Sequence, residues 1–215
     1  MRHGLQHSRL IVIVATNVDR QTKRREATRR EILNAAWDVA HTHGLAQLTL
    51  REVASRVGMR APSLYGHFPS KHAIYDGMFR QAWETYEAEI DGMEDRLPAN
   101  PRAALKMIAA SIVDFSLADL PRHLLMNVRT IPGFEPSPES YEPAVRIIRR
   151  LDASLDRLGI TDPAAADLLT ALTAGLIEQQ WANDPGGDRW RRLLDRAVDM
   201  YATEMGVPRP RKRTR

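Results

Sequence analysis

The sequence contains no cysteine among its 215 residues. This absence excludes disulfide bonds, zinc sites with thiolate ligands, iron–sulfur clusters and a cysteine nucleophile. It is also typical of proteins that work in a reducing compartment. The remaining composition, 43% hydrophobic and 27% charged, is that of a folded globular chain rather than a disordered one.

Long hydrophobic runs are also missing. The longest run near the start, residues 10–15, has only six residues. A membrane span needs about 20 such residues, and the apolar region of a signal peptide needs about 7–15. We therefore expect a cytoplasmic protein, and we expect residues 1–22 to form a flexible arm or to belong to an overextended start.

Catalytic and phosphate-binding motifs are absent as well. The sequence has no Gly-x-Ser-x-Gly elbow, no glycine-rich phosphate loop and no His-Glu-x-x-His pair. His41 and His43 stand two residues apart on a predicted helix, so they face different directions and do not suit a shared metal ion. We expect no enzyme, no cofactor and no metal site. An all-α enzyme or small-molecule carrier with a basic head is the alternative from another class.

Charge is distributed unevenly along the chain. Residues 1–72 carry 12 Lys and Arg against 5 Asp and Glu, whereas residues 73–207 carry 14 against 22. A basic head in front of an acidic body indicates that the head meets a polyanion while the body has another role. Residues 208–215 include five basic residues and nothing apolar to bury, so we expect a disordered tail.

Helix signals follow one another along the whole chain, while the alternation typical of strands hardly occurs. Thr28 and Glu31 form a capping-box pattern before an apolar stripe, and Gly44 is placed to end that helix. Three further helix starts are marked by Thr49, Pro62 and Ser70. The sequence therefore predicts a head built of short helices.

Longer helices are expected after Pro98, separated by proline and glycine. The stretch 130–140 contains three prolines and predicts a loop. Asp188 is placed to cap the last helix. The predicted helices span residues 101–118, 121–129, 138–158, 163–183 and 188–205.

The segment from Leu50 to Lys71 has the spacing of a helix-turn-helix. Two short helices that cross steeply need a small residue at their contact, here Ala54. The turn between them favours glycine four positions later, here Gly58, because the backbone is left-handed there. An aliphatic residue, here Leu64, follows six positions further and anchors the second helix.

Residues 49–71 closely resemble the DNA-binding segment of the TetR family of bacterial transcriptional regulators. The most specific part of the resemblance is the pattern Leu64-Tyr65-x-His67-Phe68-x-x-Lys71. By motif the resemblance covers roughly residues 25–75. Beyond these residues only the length and the helical layout agree with the family.

The resemblance implies an all-α protein of about nine helices in two domains. A three-helix DNA-binding head with the helix-turn-helix would span residues 23–72, and a helical bundle for ligand binding and dimerisation would span residues 73–207. It also implies double-stranded operator DNA, an unknown small-molecule effector, and a homodimer joined through the last two helices. A repressor released by its effector is the favoured role, and an activator or a nucleoid-type protein is the alternative.

The resemblance also assigns DNA contacts to the head. Lys71 would hold a phosphate oxygen together with backbone N–H groups. Arg60 stands where many relatives have a Ser or Thr cap, which leaves its guanidinium free to point at DNA. The predicted DNA-binding residues are Arg24, Arg25, Arg51, Arg60, Ala61, Pro62, Ser63, Tyr65, Gly66, His67 and Lys71.

Plainer interpretations exist for several of these residues. Tyr65 and Phe68 could be core aromatics, which we favour only for Phe68. His67 could be an ordinary histidine at a helix end, and Lys71 a solvated lysine. The basic run at residues 23–30 could be a solvated helix face, although its place before a helix-turn-helix favours phosphates or the adjacent minor groove.

The middle helices would surround the effector pocket. Aromatic or polar residues on otherwise apolar stretches are the candidates for its lining. Each of them could instead belong to the core or the surface, and none identifies the effector. The candidates are Phe115, His123, Met126, Asn127 and Trp181, with Arg129 as a further one.

Overall fold

The protein is all-α. The structure, a computed structural model, describes residues 4–128 and 130–209, with side chains from residue 20 onward. Within these residues the chain has nine α-helices and no strand, which confirms the predicted fold class. None of the described helices combines the length and the apolar character that crossing a membrane requires. The chain divides into two compact units, Met1–Met78 and Phe79–Arg215.

The first unit contains three helices and the start of a fourth. The predicted domain boundary at residue 72 lies six residues before the observed one, because Ile74, Tyr75 and Met78 at the start of the fourth helix are fully buried. The bounds of the helices are α1, Gly4–His43; α2, Leu50–Arg56; α3, Ala61–Leu64; and α4, Lys71–Glu89.

Helix α1 is much longer than predicted. Thr28 lies inside it, and its hydroxyl donates to the carbonyl of Arg24 at 3.1 Å. The helix start predicted at Thr28 is therefore wrong. From Gly4 onward, the expected flexible arm at residues 1–22 is part of this helix, because no proline or glycine interrupts residues 5–43. Residues 1–3 lie outside the described part of the chain.

The other local signals of the head act as predicted. Gly44 follows the end of α1 with a φ of +83°. The hydroxyl of Thr49 accepts the backbone N–H of Glu52 at 3.2 Å, and that of Ser70 accepts the N–H of Ala73 at 3.0 Å. These caps satisfy N–H groups that have no partner within their own helices.

The second unit holds five further helices. Four of them lie within two residues of the predicted bounds. Asn100, Asp119 and Ser137 cap three of the helices through side-chain oxygens. The observed bounds are α5, Pro101–Ala118; α6, Leu120–Asn127; α7, Pro138–Arg157; α8, Ala165–Asn183; and α9, Leu194–Glu204.

The last helix starts six residues later than predicted, and Asp188 does not cap it. The side chains at the end of α8 take the preceding N–H groups instead. Asp184 accepts from the N–H of Arg189 at 2.9 Å, and Gln180 accepts from that of Trp190 at 2.8 Å. A 3-10 turn follows at Arg191–Leu193, and α9 begins after it.

The core of the second unit lies where α5 packs against α8 and α9. Arg102 is buried there and donates to the carbonyls of Asp199, Val207 and Pro208 at 2.9, 2.6 and 3.2 Å. These bonds attach the end of the chain to α5, so the predicted tail is held at Pro208. Residues 210–215 of that tail lie outside the described residues.

Candidate nucleic-acid interface and effector cavity

The turn between α2 and α3 has the geometry that its spacing predicts. Gly58 has a φ of +68°, and the N–H of Met59 donates to the carbonyl of Ala54 at 2.8 Å. Ala54 is buried at the contact between the helices, and Leu64 is fully buried beneath α3. A left-handed glycine closes the first helix, and an aliphatic anchor holds the second.

Helix α3 is only four residues long. Its N-cap, Arg60, has an extended backbone and forms no capping hydrogen bond through its side chain, as expected for arginine. Pro62 lies in the first turn, where its missing N–H needs no partner. Beyond the helix, the N–H groups of His67 and Phe68 both donate to the carbonyl of Leu64 at 2.9 Å. The segment is therefore continued by tight turns to Phe68.

The outer side of this segment is exposed. Tyr65 keeps 54% of its surface accessible, whereas Phe68 is fully buried. Phe68 is thus a core aromatic, and Tyr65 is not. Ala61 and His67 are half-buried, and the exposed predicted DNA-binding residues are Arg24, Arg25, Arg51, Arg60, Pro62, Ser63, Tyr65 and Gly66.

The ring of His67 has one nitrogen directed inward. Its Nδ1 is buried and has no hydrogen-bond partner among the described residues. A contact from this ring to a ligand outside the protein would therefore have to come from Nε2.

Two arginines of α1 hold the end of the α3 segment. Arg25 donates through Nη2 to the carbonyl of Gly66 at 3.3 Å. Arg29 donates to the carbonyl of His67, and its guanidinium carbon lies 4.1 Å from the ring centroid of Phe68. Arg25, predicted to contact DNA, thus has a contact within the protein.

Lys71 is the first residue of α4 and is half-buried. Its Nζ donates to the carbonyl of Ala46 at 3.2 Å and lies 5.4 Å from the ring centroid of Tyr75. Burial lowers the pKa of its ammonium group. The bond to Ala46 ties the start of α4 to the connection between α1 and α2, and the ammonium has further protons for another acceptor.

The second unit contains a cavity of about 370 Å³. Side chains from α4, α5, α6, α7 and α8 line it. Two of the predicted pocket residues, Met126 and Asn127, belong to the lining. A smaller cavity of about 130 Å³ also borders these two residues.

Three predicted pocket residues belong to the packing instead. Phe115 is buried, with its ring centroid 4.9 Å from that of Tyr86. His123 is buried and pairs through Nε2 with Glu178 at 2.8 Å. Trp181 donates to the carbonyl of Ser116 at 3.3 Å. These three aromatic side chains make contacts within the protein and do not line the cavity. Arg129, the further candidate, lies outside the described residues.

An ion pair borders the cavity. Arg150 donates through Nε and Nη2 to the two carboxylate oxygens of Glu94 at 2.8 and 2.9 Å. The same Nη2 also donates to the carbonyl of Ile90 at 3.0 Å. The hydrogen bonds from Arg150 hold the pKa of Glu94 below its ordinary value. Neither residue was predicted to line a pocket, since nothing in the sequence brings positions 94 and 150 together.

The helix-turn-helix and its anchors fall within a recognised sequence pattern. Residues 32–78 match the family model of bacterial regulatory proteins of the tetR family. Over these residues the chain is similar to the TetR family.

Two curated relatives match this chain over part of its length. The nucleoid occlusion factor SlmA of Aliivibrio fischeri is 32% identical over 88 residues, which are 40% of this chain and 43% of SlmA. The class A tetracycline repressor protein from transposon 1721 of Escherichia coli is 38% identical over 47 residues, 22% of either chain. The chain thus spans less than half of the length of the relatives it matches.

Solved structures extend the likeness to the second unit. A TetR-family transcriptional regulator from Mesorhizobium loti superposes with a TM-score of 0.66 at 18% identity, covering 84% of this chain and 98% of the other. The multidrug binding protein EbrR, solved with imidazole, gives a TM-score of 0.59 at 22% identity, covering 86% and 93%. At these identities the likeness establishes the fold.

One residue that shapes the helix-turn-helix unit is not among the predicted contacts. In the sequence Arg29 stands out only as part of a basic run. In the structure it donates to the carbonyl of His67, 38 positions later, at the end of the α3 segment. A signal did exist, because Arg25 and Arg29 are four residues apart and therefore share a helix face. What that face packs against is a property of the tertiary structure.

Proposed function

We propose that this protein is a sequence-specific DNA-binding transcriptional regulator of the TetR family. It acts in the cytoplasm as a homodimeric repressor that a small molecule releases from its operator, and it is not an enzyme. The observation that carries the proposal is that one side of the α3 segment is buried and the other is exposed. Leu64 and Phe68 bury its inner side completely, while Pro62, Ser63, Tyr65 and Gly66 leave its outer side open to a groove of DNA.

Phosphate contacts are supported by the cations around this segment. Arg24 and Arg51 are exposed, and Lys71 keeps ammonium protons beyond the one donated to Ala46. The first N–H groups of α4 add a partial positive charge beside Lys71. Such contacts position a protein on the duplex without recognising its sequence.

Sequence recognition falls to the residues at the start of α3. Ala61 and Pro62 have no hydrogen-bonding side chain, so they recognise bases through apolar contact, for example with thymine methyl groups. Arg60 is exposed and makes no capping bond, so its guanidinium can reach a guanine edge.

A homodimer is supported by the last two helices. Leu168 on α8 and Met200 on α9 are large apolar side chains that keep 47% and 67% of their surfaces exposed. Pairing these helices with those of a second copy would cover them as a four-helix bundle. Two heads held together would bind two half-sites and increase the affinity beyond that of one head.

The test is binding to the DNA upstream of the gene, compared with random duplex of equal length by fluorescence anisotropy. A specific site should bind at least about 1,000-fold more tightly than random duplex. The logarithm of the affinity should fall by about 0.9 per tenfold increase in salt for each neutralised phosphate. Equal binding to both duplexes would contradict the regulator.

Two substitutions separate the expected roles. Lys71→Ala should weaken binding to all sequences alike, and Arg60→Ala should change the preferred bases. Arg149→Ala, an exposed arginine of α7, serves as the control and should leave both properties unchanged. An unaltered base preference in the Arg60 variant would remove this residue from sequence recognition.

A second candidate is a nucleoid-associated role, favoured by the match to the nucleoid occlusion factor of Aliivibrio fischeri over 88 residues. It predicts binding at many sites spread along the chromosome rather than at one promoter. Mapping the occupied sites in cells distinguishes the two roles.

A further inference from the structure

We propose that the 370 Å³ cavity selects an uncharged, largely apolar molecule with one hydrogen-bond acceptor, and that it rejects anions. The regulatory meaning of this selection rests on the proposed function, in which the same cavity receives the effector. The selection itself follows from the lining.

The first support is the size and the apolar character of the cavity. A volume of about 370 Å³ lies in the range of about 300–1,000 Å³ that is usual for sites of small molecules. Aliphatic and aromatic side chains form most of the wall, among them Ile108, Ile112, Met126 and Leu151. Such a wall favours the transfer of an apolar ligand out of water.

The second support is an unpaired donor. Trp83 lines the cavity, and its indole N–H is buried without a hydrogen-bond partner among the described residues. Three other polar groups of the wall already have partners. The hydroxyl of Tyr86 pairs with that of Ser111 at 2.9 Å, and Thr173 donates to the carbonyl of Leu169 at 2.9 Å. A carbonyl or hydroxyl oxygen of a ligand would satisfy the indole N–H.

The third support comes from the charged side chains of the lining. Arg150, the lining cation, is held by both carboxylate oxygens of Glu94 and by the carbonyl of Ile90. An anionic group would have to displace Glu94 or remain without a counter-charge in an apolar wall, and both are unfavourable. Asp167 adds a negative charge to the lining, but it is exposed, so water screens its attraction for a cation.

Two apolar side chains of the lining are exposed to solvent. Tyr141 and Ile148 on α7 both line the cavity and keep 45% and 49% of their surfaces accessible. A ligand in contact with them would cover apolar surface that now faces water. This arrangement suits an apolar molecule better than an ion.

The experiment uses the full chain and the uncharged dye Nile red, whose fluorescence rises in apolar surroundings. Three competitors share a ten-carbon chain and differ in head group: decanol, decanoate and decyltrimethylammonium. Decanol should displace the dye at a concentration about tenfold or more below the other two, because burying an uncompensated charge costs more than burying a hydroxyl. Equal or better displacement by decanoate or by the ammonium compound overturns the proposal, as does failure of both dye and decanol to bind.

Glu94→Gln tests the cause of the rejection. It leaves Arg150 without a counter-charge, so decanoate should displace the dye about tenfold better while decanol is unchanged. Glu87→Gln is the matched control. Glu87 forms a similar pair with Arg146, at 2.6 and 2.8 Å, but neither of these residues lines the cavity. Unchanged decanoate binding in the Glu94 variant overturns the role given to the ion pair.

Trp83→Phe tests the donor. Binding of 2-decanone, whose carbonyl can accept from the indole, should weaken about fivefold in this variant. Trp190→Phe is the control, because the Trp190 indole N–H is likewise buried and unpaired within the described chain but lies outside the cavity. Equal effects of the two substitutions overturn the role given to Trp83.

These assays contain no DNA, so they fail independently of the proposed function. A protein that prefers its operator but does not bind decanol contradicts the inference alone. A protein that binds decanol but shows no preference for any duplex contradicts the regulator alone.

Discussion

Two glycines of the helix-turn-helix illustrate how differently one residue type acts. Gly58 has a φ of +68°, and a Cβ atom built there would meet nothing within 4 Å. Gly66 has no positive φ, and a Cβ there would lie 3.4 Å from the carbonyl oxygen of Ser63, an ordinary contact. Gly58 is therefore required by the backbone, whereas Gly66 only makes its segment less helical.

Gly58→Ala should lower the free energy of unfolding by about 1–2 kcal/mol, the cost of placing an L-residue in the left-handed region. Gly66→Ala should leave it unchanged or raise it by up to about 1 kcal/mol, because alanine favours the helical backbone. Urea unfolding followed by circular dichroism measures both. Equal destabilisation by the two substitutions would contradict the difference in their backbones.

At the scale of the element, α3 depends on its neighbours. A four-residue helix has almost no stability of its own. Leu64 and Phe68 bury its inner side, and Arg25 and Arg29 of α1 bind the carbonyls that follow it. The position of α3 in the molecule is therefore decided partly by α1.

Arg29→Gln should weaken operator binding several-fold without changing the salt dependence, because Arg29 bonds a carbonyl of the protein rather than a phosphate. Arg24→Gln is the comparison. If the exposed Arg24 neutralises a phosphate, its loss should reduce the slope of log affinity against log salt by about 0.9 per head. Anisotropy titrations at several salt concentrations measure both slopes.

A reduction of the slope in the Arg29 variant as large as in the Arg24 variant would assign Arg29 to the phosphates. Arg29→Lys provides a further control. It keeps the charge but not the planar fork, so it should behave like the Gln variant if geometry is what matters.

At the scale of the whole molecule, the proposed dimer joins copies through the exposed apolar side chains of α8 and α9. Leu168→Glu and Met200→Glu should shift the protein from dimer to monomer and weaken operator binding, because a buried unpaired carboxylate opposes association. Sedimentation velocity measures the shift. Ile148→Glu is the control, since Ile148 is about as exposed as Leu168 but lies on α7. Loss of the dimer in this variant as well would place the interface elsewhere.

Much of the fold could be predicted because its signals are local. A cap such as Thr49 and a breaker such as Gly44 act within a few residues, so helix ends near them were found. The capping pattern at Thr28 gave a wrong helix start, because a cap is needed only where the preceding residues are not helical. The cap predicted at Asp188 is wrong for a related reason, since Gln180 accepts the N–H groups of Trp190 and Arg191 that Asp188 would have served.

By itself, the order of the residues determined the helical class, the turn at Gly58, the anchor at Leu64 and the exposed aromatic at Tyr65, because each depends on spacing along one or two helices. Only the tertiary structure decided which of the candidate residues line the cavity, the pairing of Glu94 with Arg150, and the attachment of α3 by Arg29. Arg29 and His67 are 38 positions apart, and Glu94 and Arg150 are 56 positions apart. The packing of whole helices, rather than any local pattern, determines which residues meet over such distances.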